Sequence, residues 1–159
     1  MELWADFYND STVLQSGVLF LHFGALLVAG GFAVAADRWV LRAGRMHEGA
    51  RVLLLDQLGA LHRPVLIGMI LLILTGSAMA LADAEALLSA PMFWLKMSCF
   101  ALLLINGLTL LRAERKLLRV PLGNTRAAAD WRALQWAARR SVSLWLLTLL
   151  LGTLLGTTV

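Results

Sequence analysis

The chain has 159 residues and a mass of 17.4 kDa; 60% of its residues are hydrophobic, only 15% are charged, and its mean hydropathy is +0.76. These values exclude an ordinary soluble domain and predict an integral membrane protein that forms a single domain over residues 1–159. The one cysteine, Cys99, excludes an intramolecular disulfide, a zinc ribbon and an iron–sulfur site. Any redox activity would therefore require a bound cofactor.

Four apolar stretches predict four membrane-spanning helices, at about residues 13–38, 60–82, 90–112 and 138–157. At about 1.5 Å of rise per residue, roughly 20 helical residues cross a hydrocarbon core of about 30 Å, so each stretch can cross once. Helices are expected rather than barrel strands because the runs are continuous and a helix satisfies its own backbone hydrogen bonds in lipid. The predicted fold class is all-α, an integral membrane four-helix bundle.

The basic residues predict the orientation of the bundle. Of the 14 lysines and arginines, five lie in 37–63 and eight in 112–140, so these two segments are expected in the cytoplasm. The N-terminus and C-terminus then lie outside, helices 2 and 4 extend into the cytoplasm, and 121–124 forms a turn. The first ten residues contain no lysine or arginine, which argues against a cleaved signal peptide. We expect a bacterial inner-membrane protein whose basic segments face anionic lipid, with no nucleic-acid partner.

Small residues recur on the predicted spans. Gly17, Gly24 and Gly31 are spaced by seven residues on the first span, and Gly68 and Gly76 by eight on the second. Such faces allow close helix packing. They could pack within the chain, meet a second copy, or admit a flat cofactor.

Two polar residues inside the spans call for a functional explanation. Lys96 lies about six residues, or about 9 Å, inside the outer end of the third span, and His22 lies equally deep in the first. An ammonium group in the hydrocarbon region costs roughly 3 kcal/mol, so a lysine there usually marks a partner or a site. The alternatives are that Lys96 extends to the outer surface and that His22 bonds to Thr75 or Asn106 across the bundle.

The shared depth of His22 and Lys96 predicts a cofactor site. A neutral imidazole is an axial ligand of haem iron, and a helical bundle can enclose a flat macrocycle. Lys96 could be a second ligand, neutralise a haem propionate, or bind an anionic group of a substrate. His62 differs in depth from His22 by about 20 Å, too far to share one iron, and we expect it, with His47, on a headgroup-facing surface.

Copper is the alternative metal. Met79, Met92 and Met97 lie toward the outer side, with Cys99 and His22 at similar levels. Thioether and thiol groups are soft ligands that suit Cu(I). The same methionines also serve as ordinary apolar packing in a bundle.

Two carboxylates on the inner side are expected to be structural. Asp37 follows the first span and Asp56 lies on the extension of the second. We expect them to pair with Arg38, Arg42 or Arg63 and so to fix the helix ends; the alternative is a proton path.

Short motifs resemble two families of small membrane proteins. They are the run Leu19–Gly24 (LFLHFG) on the first helix, Leu74–Gly76 (LTG) on the second and Phe93–Lys96 (FWLK) at the start of the third. The pattern, over roughly residues 15–115, is similar to CopD-type copper-resistance proteins and to HemJ-type protoporphyrinogen oxidases.

The HemJ resemblance implies a b-type haem with His22 and Lys96 at the functional positions, and the CopD resemblance implies passage or delivery of copper. The chain departs from the HemJ pattern at two places. The histidine that often precedes the lysine is Trp94 or Leu95 here, and the basic–aromatic cluster is reduced to Asp37–Trp39. These departures argue against porphyrinogen oxidation and favour a haem-binding relative.

The expected function is therefore binding of one b-type haem near the outer face through His22 and Lys96, with electron transfer or haem-linked redox chemistry. The partner would be a quinone or a redox protein. If the chain is an enzyme, it is a haem-dependent oxidoreductase, with no catalytic residue assigned. The alternatives are copper handling, and a non-catalytic subunit of a larger complex or homo-oligomer.

Overall fold

The fold of the chain, a computed structural model, is described for residues 2–119 and 125–158. Within these ranges every regular element is helical. The helices are α1 (Glu2–Asn9), α2 (Thr12–Arg42), α3 (Glu48–Ala82), α4 (Ala84–Ser89), α5 (Pro91–Leu117) and α6 (Thr125–Thr158), with a short 3-10 turn at Ala43–Arg45. Four of them, α2, α3, α5 and α6, are long and apolar enough to cross a membrane, which confirms the predicted set of four long apolar helices. The turn expected at 121–124 lies outside the described residues.

The helix boundaries have local causes. Ser11 precedes α2, and its hydroxyl accepts a hydrogen bond from the backbone nitrogen of Leu14 at 3.3 Å, as an N-cap should. Pro91 occupies the first turn of α5, where a missing N–H has no cost. Pro64 lies inside α3, which continues on both sides of it. Both α3 and α6 begin well before their apolar runs, so each has a charged first part and an apolar second part.

The four long helices are arranged in the order α3, α2, α6, α5. The helix α2 packs on α3 and on α6, and α5 packs on α6, whereas the described backbones of α3 and α5 approach each other little. The helices α2 and α6 are antiparallel, since Gly30 lies beside Trp145 and Val40 beside Gln135. This arrangement leaves the side between α3 and α5 the least closely packed.

The crossing of α2 and α3 depends on a glycine. A Cβ atom at Gly68 would lie 2.8 Å from the Cβ of Ala29 and 3.0 Å from the carbonyl oxygen of Ala25. Both alanines are buried. The two backbones therefore approach as closely as they do because Gly68 has no side chain. By contrast, a Cβ at Gly17, Gly24 or Gly31 would meet nothing within 4 Å, so these glycines do not pack against described residues of the chain.

Two apolar clusters fill the bundle. One lies around Trp145 and contains Ala25, Ala29, Met69, Leu72, Leu103. The other lies around Leu134 and Leu58 and contains Val40, Ala43, Leu54, Leu55, Leu117, Ala138. Many large apolar residues lie on the outside, as expected of helices that are surrounded by lipid. We call the two ends of the bundle the His22 end and the Asp37 end.

The short helix α1 was not predicted. It packs against α2 and α3, and the indole nitrogen of Trp4 donates a hydrogen bond to the carbonyl oxygen of Ala78 at 3.0 Å. Tyr8, on the same helix, is buried. Burial raises the pKa of the Tyr8 phenol above its ordinary value, because the charged form is poorly solvated there. The helix α1 thus covers part of the His22 end.

Candidate functional site

The imidazole of His22 turns inward from α2 toward α3. Its Nδ1 lies 2.8 Å from the hydroxyl oxygen of Thr75, and its Cε1 faces Gly76, where a Cβ atom would lie 3.4 Å away. The sequence offers Thr75 and Asn106 as partners for His22. The structure selects Thr75, since the amide of Asn106 donates instead to the carbonyl oxygen of Ala137 at 2.9 Å.

The partner of Thr75 determines which nitrogen of His22 carries the proton. The Thr75 hydroxyl donates to the carbonyl oxygen of Leu71 at 2.6 Å, one turn earlier on α3. A hydroxyl has one proton, so toward His22 it can only accept a hydrogen bond. With the hydroxyl donating to Leu71, the assigned tautomer carries its proton on Nδ1 and leaves a lone pair on Nε2. No described residue forms a hydrogen bond with that Nε2.

Contacts between helices bring Lys96 to the same level. Gly30 of α2 lies beside Trp145 of α6. His22 lies eight residues, or about 12 Å, from Gly30 along α2, and Gly152 lies seven residues, or about 10 Å, from Trp145 along α6. Because the two helices are antiparallel, both distances lead toward the same end of the bundle. The Lys96 Nζ and Cε lie 3.6 Å from a Cβ atom built on Gly152. The charge of Lys96 also acts on the His22 imidazole. We call this level, formed by His22, Thr75, Gly76, Lys96 and Gly152, the histidine–lysine layer.

The amine of Lys96 has no partner in the described part of the chain. It forms neither an ion pair nor a hydrogen bond there, and it does not reach Asp83 or Glu85. Its side chain is half-buried against α6. An unpaired cation at this depth favours the approach of an anionic group, because a nearby negative charge offsets the loss of solvation.

A second unsatisfied polar group lies close to this layer. Thr148 is buried, and its hydroxyl has no hydrogen-bond partner. It lies one turn from Gly152 on the same face of α6, on the side of the Asp37 end. A buried hydroxyl that bonds to nothing is unusual and is consistent with a group that enters from outside the chain.

An open cavity of about 380 Å³ lies beside the histidine–lysine layer. It lies between α3, α4 and α5, on the side where α3 and α5 pack least. It is lined by Ser77, Ala80, Leu81, Leu87, Leu88, Phe93. Ser77 follows Gly76 on α3, and Phe93 lies one turn before Lys96 on α5, so the cavity adjoins two of the four helices that carry the layer.

The residues of the histidine–lysine layer are better suited to a cofactor that supplies most of its own metal ligands than to a metal ion without a cofactor. Within residues 2–119 and 125–158, no three His, Cys, Asp or Glu side chains converge on one point. A bare ion usually needs three or four protein donors. A haem supplies four nitrogens itself, and one imidazole with a free Nε2 is then a sufficient protein ligand. Met97, one of the expected copper ligands, is 41% exposed and points away from the interior.

Comparisons with protein-family models, with curated proteins and with solved structures gave no match to this chain. The family resemblance carried by Leu19–Gly24, Leu74–Gly76 and Phe93–Lys96 therefore stays a prediction.

A second polar level lies at the Asp37 end, and the sequence did not reveal it as a unit. Asp37 of α2, His62 of α3, Glu114 of α5 and Ser141 of α6 come together here, and we call them the carboxylate layer. The His62 Nε2 lies 3.1 Å from a Glu114 carboxylate oxygen, and the Ser141 hydroxyl faces the Asp37 carboxyl. No described arginine forms an ion pair with Asp37, contrary to the expected pairing with its neighbours.

Sequence could have pointed to this level. Each member occurs at the edge of its apolar run, next to arginines, and so has the pattern of an ordinary interfacial charge. Asp37 is 4% exposed and Glu114 is 7% exposed, which shows that both turn inward rather than toward headgroups. The sequence pattern that points to this layer is a polar residue at the cytoplasmic edge predicted for each of the four spans.

Proposed function

We propose that this chain is a membrane protein that binds one b-type haem at its His22 end, where His22 would hold the haem iron through Nε2. The observation that carries the proposal is the hydrogen-bonded series His22–Thr75–Leu71, which leaves Nε2 free to donate to iron. Histidines that bind metals usually have their other nitrogen fixed in this way, because the second bond sets the tautomer and the ring orientation. When bound, the haem would supply one-electron chemistry that the side chains lack.

The side chains would divide the work at the site. Thr75 holds the imidazole at one angle, and Gly76 leaves space beside it. The unpaired amine of Lys96 would neutralise a propionate carboxylate, or serve as a second ligand in its unprotonated form. The apolar helices around the layer exclude water, which favours retention of the cofactor.

The proposed role is electron transfer or haem-linked redox chemistry. A quinone is a suitable partner, because the cavity beside Phe93 is apolar and lies on the least closely packed side of the bundle. A redox protein is the other option. If the chain catalyses a reaction, we propose a haem-dependent oxidoreduction. On the charge distribution, the His22 end would face the outside of a bacterial inner membrane and both termini would lie there.

An absorption spectrum tests the proposal directly. Protein purified from haem-replete cells in mild detergent should show a Soret band, and His22→Ala should lose it. His47→Ala is the matched control, since it removes an exposed imidazole far from the layer and should leave the band unchanged. Colourless wild-type protein, or equal loss of the band in both variants, would refute haem binding through His22.

Two further variants test the roles of the neighbouring residues. Thr75→Val removes the acceptor for Nδ1 at nearly constant volume, and we expect about 10- to 100-fold weaker haem retention. Lys96→Arg preserves the charge but cannot ligate iron, whereas Lys96→Gln loses both functions. If Lys96→Gln alters the spectrum and Lys96→Arg does not, the amine neutralises a propionate carboxylate. If both variants alter the spectrum, the amine is a ligand of the iron.

A second candidate function is that of a subunit in a larger assembly. The glycine face Gly17, Gly24 and Gly31 favours it, because these positions have no neighbour within the described chain and would let another helix approach closely. The test is the mass of the complex in mild detergent, compared with that of Gly24→Leu. A monomer in both cases would contradict it. No observation favours copper handling to the same degree.

A further inference from the structure

The carboxylate layer contains an acid whose environment is unusual. Asp37 is 4% exposed, and its Oδ2 atom is fully buried without any hydrogen-bond partner. Arg38 and Arg42, the basic residues nearest on its own helix, are exposed and do not pair with it. The carboxyl group is thus buried without a counter-charge from α2.

Among the described residues of the helices that pack around Asp37, no cation forms an ion pair with it. The helix α6 contributes the Ser141 hydroxyl, and α5 contributes Glu114, a second acid whose charge acts on Asp37. The helix α3 contributes His62, which is paired with Glu114 at 3.1 Å. The charge of Arg115, the next residue on α5, acts on His62. Two carboxyl groups therefore share one interior with a single imidazole.

This arrangement requires a positive ligand. An ionised carboxylate without a partner costs several kcal/mol in a low-dielectric interior, and a neighbouring carboxylate adds to that cost. A metal ion would offset both charges, but within the described residues the acids and the imidazole do not converge as three ligands. A proton needs only one acceptor oxygen, and the unpartnered Oδ2 of Asp37 provides it.

His62 lies between this interior and the surface of the bundle. Its side chain is 36% exposed, whereas that of Glu114 is 10% exposed. An imidazole can accept a proton at one nitrogen and release another from the second, so it can pass protons without leaving its place. The series His62, Glu114, Asp37 therefore runs from an exposed group to a buried one.

We propose that the carboxylate layer is a proton-binding site in which Asp37 holds the proton and His62 exchanges it with the surrounding water. In loading, His62 accepts a proton at Nδ1 and releases one from Nε2 to Glu114. The proton then passes from Glu114 to the Asp37 carboxylate, on which the charge of Glu114 acts. Release runs through the same groups in reverse. The site lies about 22 Å along α2 from His22 and does not depend on a cofactor there.

Infrared spectroscopy of the full chain in lipid nanodiscs tests this site. Protein labelled with ¹³C at the aspartate carboxyl should show the carbonyl band of a protonated buried acid, which falls reversibly as pH rises. Asp37→Asn should remove it. Asp56→Asn is the matched control, because Asp56 is an exposed aspartate on α3 and its loss should leave the band unchanged.

The exchange route is tested by transfer into deuterated buffer. His62→Gln should slow the deuterium shift of the Asp37 band by about 100-fold, while His47→Gln should not. A band constant at all pH values, or absent at all of them, would overturn the proton site, and wild-type protein alone decides this if Asp37→Asn does not fold. An unchanged exchange rate in His62→Gln would overturn the route through His62.

Discussion

The close crossing of α2 and α3 makes a specific prediction about Gly68. In Gly68→Ala the new Cβ atom would lie 2.8 Å from the Cβ of Ala29 and 3.0 Å from backbone atoms of Ala25 and Ala29. Backbone atoms cannot rotate away as a flexible side chain can, so the helices must separate by several tenths of an ångström or more. Overpacking of this kind costs about 1–3 kcal/mol.

Gly107→Ala provides the matched control for this prediction. Gly107 lies within the apolar part of α5, and a Cβ atom there would meet nothing within 4 Å. Both variants gain the helix propensity of alanine, about 0.5–1 kcal/mol. That gain cancels in the comparison, so the difference between the two variants, about 1–3 kcal/mol, isolates the collision at Gly68.

The free energy of unfolding of each variant can be measured by reversible unfolding in lipid bicelles. In this assay, the unfolded state is detected by trapping the separated helices. We expect Gly107→Ala to be neutral or slightly stabilising and Gly68→Ala to be destabilised relative to it. Thr75 lies two turns from Gly68 on α3, so the separation should also lengthen the bond between Thr75 and His22. Equal stability of the two variants would refute the view that Gly68 sets the helix separation.

Three further predictions concern other parts of the bundle. Asn106→Ala should lower the free energy of unfolding by about 1 kcal/mol, because the buried bond to Ala137 is lost; a value near zero in the same assay would contradict this. Trp4→Phe should remove the bond to Ala78 and speed hydrogen exchange of the α1 amides about fivefold, with α2 as internal control; unchanged exchange would mean that packing alone holds α1. Tyr8, the one tyrosine of the chain, should form its phenolate in the folded protein at higher pH than in unfolded chain, where its pKa is about 10. Because burial raises the folded pKa, the stabilisation is complete below about pH 10 and is lost as pH rises through the folded value; ultraviolet titration with the same midpoint in both states would be evidence against it.

The membrane helices were predictable because their signal is local. A span needs about 20 apolar residues in a row, and each of the four runs meets that condition without reference to the others. The helices α1 and α4 were missed for the opposite reason. They are short and carry acidic residues, and what holds α1 in place is a contact of Trp4 with a residue 74 positions away.

The histidine–lysine layer was partly predictable. Residue counts along each span gave His22 and Lys96 a common depth, since rise per residue is constant in a helix. They could not show which way either side chain points. Asn106 lies ten residues, about 15 Å, along α5 from Lys96 and therefore at another level. That Thr75 meets His22 depends on which face of α3 turns toward α2.

By itself, the sequence determined that this protein has four apolar helices and that one imidazole and one amine lie inside them, because hydrophobicity and helical rise act along the chain. Only the tertiary structure decided that Asp37 turns into the bundle and not toward its neighbouring arginines. The physical reason is that burial and hydrogen bonding depend on which helix faces which. A carboxyl group at the edge of an apolar run has the same sequence pattern whether it is exposed to water or, like Asp37, interacts with Ser141 and Glu114. The sequence pattern therefore does not distinguish the two cases.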